Sequence, residues 1–78
     1  MKIYVTKSDI KEGIQCSSGQ CPIARSLQRR FPGRHVSVGA HGGAVGGRIF
    51  PLPPSAQRFI VRFDVGRKMR PFSFTLPL

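Results

Sequence analysis

The sequence predicts an α+β domain in the order β-α-β-β-α-β, with two helices packed on one face of an antiparallel sheet in the ferredoxin-like style. Three observations carry this. Short alternating runs stand near both ends of the chain and in its middle. Two segments with apolar residues every three or four positions lie between them. Proline or glycine bounds each segment. At 78 residues the chain is a single domain, 1–78.

Lys2-Ile3-Tyr4-Val5-Thr6 alternates and is rich in β-branched and aromatic residues, which predicts the first strand. Thr6 and Asp9 have capping-box spacing for a short helical turn, and Gly13 is its natural stop. Residues 13–20 read as loop. The first full helix starts at Cys21-Pro22, since proline suits the first helical position. Ile23, Leu27 and Phe31 with Ala24 form its core stripe, and Arg25, Gln28 and Arg29 fall on the opposite, water-facing side. Pro32-Gly33 ends it.

His35-Val36-Ser37-Val38 is a short second strand. Residues 39–47 hold five of the nine glycines and read as a flexible loop. Arg48-Ile49-Phe50 begins a third strand, and Pro51 marks it as an edge or a strand end. Pro53-Pro54-Ser55 opens the second helix, with Ala56, Phe59, Ile60 and Phe63 inward, Arg58 and Arg62 outward, and Gly66 after its end. Phe72-Ser73-Phe74-Thr75-Leu76 alternates and reads as the last strand.

Hydrophobic residues make up 40% of the chain and include six phenylalanines, enough for one small core and unlike a disordered tail. A domain this short buries only about 60–65% of its unfolded surface. Its thin core makes a homodimer an expectation, with pairing at the edge of the last strand as one route.

Charge is the most informative feature for function. Thirteen lysines and arginines against three acids give +10, above the magnitude of about 2–8 usual for a small domain. Such a field attracts polyanions. In the expected architecture Arg25, Arg29, Arg58 and Arg62 share one basic surface, with Arg67, Lys68 and Arg70 at its end. This predicts a non-enzymatic protein that binds nucleic acid through an arginine-rich helix face. The alternative is an inhibitor that docks the same face on an acidic or nucleoprotein partner.

Other constellations give weaker readings. Cys16, Cys21, His35 and His41 fall as C-x4-C-x13-H-x5-H, close to zinc-finger spacing. A finger needs both histidines on one helix, however, and here they bracket a strand-like run. Structural or free thiols and surface histidines are the favoured reading, and no metal or other cofactor is expected. Cys21 at a helix N-terminus suggests a reactive thiol, with His35 as the only candidate base, but cysteine before an N1 proline reads better as a buried cap residue. The glycine-rich segment lacks the G-K-[ST] of a phosphate loop. Tyr4 and Phe50 stand on strands that stack bases in RNA-recognition motifs, but the third strand lacks that motif's pattern, so Phe50 is assigned to the core. With Asp9, Glu12 and Asp64 as the only carboxylates, acid–base catalysis is not expected.

Val5-Thr6-x-x-Asp9-Ile10-x-x-Gly13, Cys21-Pro22-Ile23-Ala24, Phe59-Ile60-x-x-Phe63-Asp64-x-Gly66-Arg67 and Pro71-Phe72-x-Phe74 resemble a family of small accessory proteins encoded by bacteriophages and prophages. The resemblance touches both ends and both helices and departs in the glycine-rich segment. It implies a host-directed binding role, for example against a restriction or CRISPR nuclease complex, and transfers no catalytic residue. With no apolar leader and no run of about 18 apolar residues, the expected location is the cytoplasm of a bacterial host cell, without membrane association. There the two cysteines are expected as thiols.

Overall fold

Five strands and three helices make up the computed structural model, which describes residues 1–77. In chain order they are β1 (Lys2–Val5), α1 (Lys7–Glu12), α2 (Pro22–Arg30), β2 (Val36–Val38), β3 (Gly42–Val45), β4 (Arg48–Pro51), α3 (Pro54–Asp64) and β5 (Phe72–Thr75). The domain is α+β with antiparallel pairing throughout. The single ferredoxin-like sheet is not what forms. β1 pairs with β5, and β2-β3-β4 make a separate three-stranded sheet.

An outer edge of each sheet takes a partner from elsewhere in the chain. On the side of β1 away from β5, the carbonyl of Tyr4 accepts a hydrogen bond from Arg29 of α2 at 3.0 Å, and α2 packs along the strand. On β2, the Val38 amide donates to the Ser18 carbonyl of the preceding loop at 2.8 Å. A strand edge whose polar groups have found partners no longer recruits another strand.

The expected loop over 39–47 is corrected by β3, the central strand of the second sheet. Glycine serves close approach here. A Cβ on Gly42 would stand 2.7 Å from the Phe50 carbonyl oxygen, and one on Gly43 would stand 3.2 Å from the Phe50 ring. The turn into β4 is made by Gly46 and Gly47 alone, at φ 58° and 84°. Two left-handed residues in a two-residue connection are the requirement of a type I′ hairpin. Pro51 ends β4, which is an edge strand as the proline demands.

The helix signals act as expected. In α1 the Thr6 amide donates to Asp9 Oδ2 at 2.9 Å and the Asp9 amide to Thr6 Oγ1 at 3.2 Å, a complete capping box. Gly13 follows α1 and lies against Pro22, the first residue of α2. A Cβ there would stand 2.7 Å from the Asp9 carbonyl oxygen and 2.8 Å from the proline ring. Gly13→Ala is therefore expected to destabilise the domain by about 1–3 kcal/mol, the usual range for overpacking, read as a lowered urea midpoint. After α3, the amides of Gly66 and Arg67 donate to the carbonyls of Phe63 and Arg62, with Gly66 at φ 87°. This is a Schellman close.

The core lies between α2, α3 and the inner faces of both sheets. Ile23, Ala24 and Leu27 of α2 are fully buried, as are Ile3 and Val5 of β1 and Leu76 beyond β5. Phe59 stacks on Phe72 at 4.6 Å between centroids, and Phe72 on Phe74 at 5.7 Å, which fixes α3 against β5. Among the described residues no helix is long and apolar enough to cross a membrane.

Candidate functional site

One carboxylate organises the basic residues of α2. The capping geometry of α1 turns Asp9 inward, where its side chain is 1% exposed. Arg29 Nη1 donates to Asp9 Oδ1 at 2.7 Å and Nη2 to Oδ2 at 2.8 Å, a bidentate pair. Nη2 also reaches the Tyr4 carbonyl, so one guanidinium joins α1, α2 and the edge of β1. Arg25 Nε stands 3.9 Å from Asp9 Oδ1, buried and without a hydrogen-bond partner among the described residues. Burial pushes the Asp9 carboxyl up, but the hydrogen bonds from Arg29 and Thr6 and the charge of Arg29 together hold it below its usual value; the same pairing raises Arg29.

This corrects the expectation that Arg25 and Arg29 form an unpaired face toward water. Arg29 is committed to Asp9 and Arg25 is partly buried beside it. The seven cations fall in three places. Arg25 and Arg29 gather at Asp9. Arg58 and Arg62 on the outer side of α3 share a groove of about 280 Å³ with Arg70, Met69 and Phe72. Arg67 and Lys68 are exposed on the segment between α3 and β5.

The α3 groove contains no acid. Its lining is Ser55, Arg58, Phe59, Arg62, Met69, Arg70, Pro71 and Phe72. On the other flank of the same two arginines a second groove, about 290 Å³, is lined by Ala40, His41, Gln57 and the exposed Val61. Both ion pairs among the described residues go to Asp9. Asp64, at the end of α3, accepts the backbone amide of Cys16 at 2.9 Å. That bond helps hold Cys16 at φ 55°, a left-handed conformation uncommon outside glycine.

The remaining candidates come apart. Among the described residues no group of three or more His, Cys, Asp or Glu side chains converges on a point that could hold a metal ion. Cys16 and Cys21 line one cleft with Asp64, while His41 lies in the groove beside α3. Cys21 is a buried cap whose Sγ accepts the Ala24 amide at 3.4 Å. Its burial pushes the thiol up, against the thiolate character a nucleophile needs. Phe50 is in the core at 3% exposure, whereas Tyr4 is 60% exposed.

No family model, curated protein or solved structure matches this chain. Fold and site define a small, strongly basic α+β domain. Sequence reasoning missed the pairing of Arg29 with Asp9, since residues twenty apart have no local spacing to betray their contact. It also missed Met69 and Phe72 as groove residues. The run Met69-Arg70-Pro71-Phe72 was the available signal, because proline beside β5 keeps an arginine next to an aromatic.

Proposed function

We propose that this domain is a non-enzymatic nucleic-acid-binding protein whose principal contact is the outer side of α3, through Arg58, Arg62 and Arg70 with Arg67 and Lys68 beside them. The observation that carries this reading is the acid-free groove shared by the three arginines. Cations with no carboxylate to satisfy them present their donors to an external anion, and planar guanidinium suits phosphate. The contacts would be to the backbone, so affinity would vary little with sequence.

The test is fluorescence anisotropy on a labelled 16-base-pair duplex at salt concentrations from about 50 to 200 mM. Each phosphate neutralised contributes a log–log slope of about −0.9, so three arginines predict about −2.7 or steeper. The triple variant Arg58→Ala, Arg62→Ala, Arg70→Ala should weaken binding and flatten the slope by about that amount. A slope near zero, or one unchanged in the triple variant, overturns the proposal. So does a stoichiometric protein partner that survives nuclease and 200 mM salt while no oligonucleotide binds.

A further inference from the structure

A second basic cleft, separate from the α3 groove, lies between the edge of β1 that faces α2 and the last turn of that helix. It has a volume of about 310 Å³ and is lined by Lys2, Ile3, Tyr4, Ser26, Arg29 and Arg30. We propose that this cleft binds a nucleotide with an unpaired base, the base stacked on Tyr4 and the phosphate held by Lys2, Arg29 and Arg30.

The arrangement begins in the strand. Alternation along β1 buries Ile3 and Val5 and puts Lys2 and Tyr4 outside. Tyr4 keeps 60% of its surface exposed in the middle of a paired strand, where backbone pairing to β5 fixes its Cα and the face from which its ring projects. A ring projecting from a paired strand is a stacking platform whose backbone needs no further ordering when a ligand arrives. Lys2 Nζ stands over the ring, 5.8 Å from its centroid, so a base would stack on the opposite face with this cation already in place.

Arg29 is fixed as well. Its two bonds to Asp9 and one to the Tyr4 carbonyl use three donors. A guanidinium carries five, so Nε–H and one Nη1–H have no protein partner among the described residues. The side chain is still half exposed. Arg30 follows on the same turn, exposed. Asp9 engages Arg29 from outside the cleft lining, and no acid lines the cleft itself.

The ligand class follows from the two halves of the site together. An inorganic anion would use the cations and leave the ring unused. An apolar ligand would strand the cations. A nucleotide matches both, since every base has a π-face and every nucleotide a phosphate. Bases within a duplex are already stacked on one another, which excludes duplex from this cleft. Free mononucleotide and single-stranded nucleic acid share the required chemistry.

Tyr4 is the only tyrosine, and the chain has no tryptophan, so its ring resonances report on this cleft alone. Proton NMR titrations with adenosine monophosphate, an adenosine tetranucleotide, ribose 5-phosphate and a duplex form the test. Both base-bearing single-stranded probes should move the Tyr4 ring protons upfield and saturate; ribose 5-phosphate and duplex should not. A tetranucleotide at least about tenfold tighter than the monophosphate identifies a strand as the ligand, and equal affinities identify the free nucleotide. Tyr4→Ala should weaken tetranucleotide binding about 5- to 150-fold, the range for loss of one stacked base, while Tyr4→Phe retains it. Tyr4 is exposed, so both variants should melt like the parent. Ring signals unmoved by either base-bearing probe, or moved equally by ribose 5-phosphate, overturn the proposal. The Tyr4 shift should persist when Arg58, Arg62 and Arg70 are alanine, which separates this cleft from the α3 groove.

Discussion

Arg29→Ala is expected to destabilise the domain by about 2–4 kcal/mol, measured as the loss of unfolding free energy in urea. Removing one partner of a buried ion pair costs about 3–5 kcal/mol, because the other charge is left without compensation. The lower figure applies here since the Arg29 side chain is half exposed and partly screened. Asp9 keeps the Thr6 amide as a partner, and Arg25 stands 3.9 Å away. Total stability for a domain of this size is about 4–12 kcal/mol, so this single pair is a large fraction of it. The same pair contributes to the acid limb of the stability curve. Asp9 sits below its ordinary value of 3.8 in the folded state, so the unfolded chain takes up the proton first as pH falls. The stabilisation is fully present above that ordinary value and is lost as pH drops through the lowered folded value. Asp9→Asn should remove this part of the acid dependence while lowering stability at neutral pH; an unchanged acid limb in the variant would assign it elsewhere.

Leu27→Ala is expected to cost about 2–5 kcal/mol, enough to leave a substantial unfolded population at room temperature. Leu27 is fully buried at the centre of the α2 face that packs on β1 and β2. A small domain has little neighbouring mass with which to fill the vacated space. The measurement is a thermal melt followed by circular dichroism, with Gln28→Ala as comparison. Gln28 donates to the carbonyls of Phe31 and Arg34 at the exposed end of the same helix, and its loss should cost no more than about 1 kcal/mol. Comparable losses for the two variants would contradict the core assignment.

Local signals in the chain were legible because they act over a few residues. The capping box at Thr6 and Asp9, proline at the start of α2, glycine after α3 and the alternation of β1 and β5 each appear where the sequence places them. What failed was the inference from composition. Five glycines between 39 and 47 suggested mobility, but glycine also permits the closest approach of strands, and the Phe50 ring beside Gly43 requires it. The division into two sheets was not legible, and neither was the Arg29 bond to the edge of β1, which joins residues 25 apart in sequence. For the same reason the basic residues could be counted but not partitioned. Helix periodicity placed Arg25 and Arg29 outward, and nothing local revealed that the inward-turned Asp9 would reach them. Arg58 and Arg62 fared better, since their helix carries no acid before Asp64.

The pairing of β1 with β5 joins Lys2 to Thr75 and Val5 to Phe72, across nearly the whole length described. Contacts so distant in sequence form late, since the loop between them must close before any pairing rewards it. On the ribosome, therefore, β1 waits without its partner while the helices and the β2-β3-β4 meander emerge. Phe59 waits too, because the ring it stacks on is Phe72. Until residues 72–75 leave the exit tunnel, the nascent chain shows an open strand edge and an uncovered phenylalanine, the features that chaperones bind and that aggregation exploits.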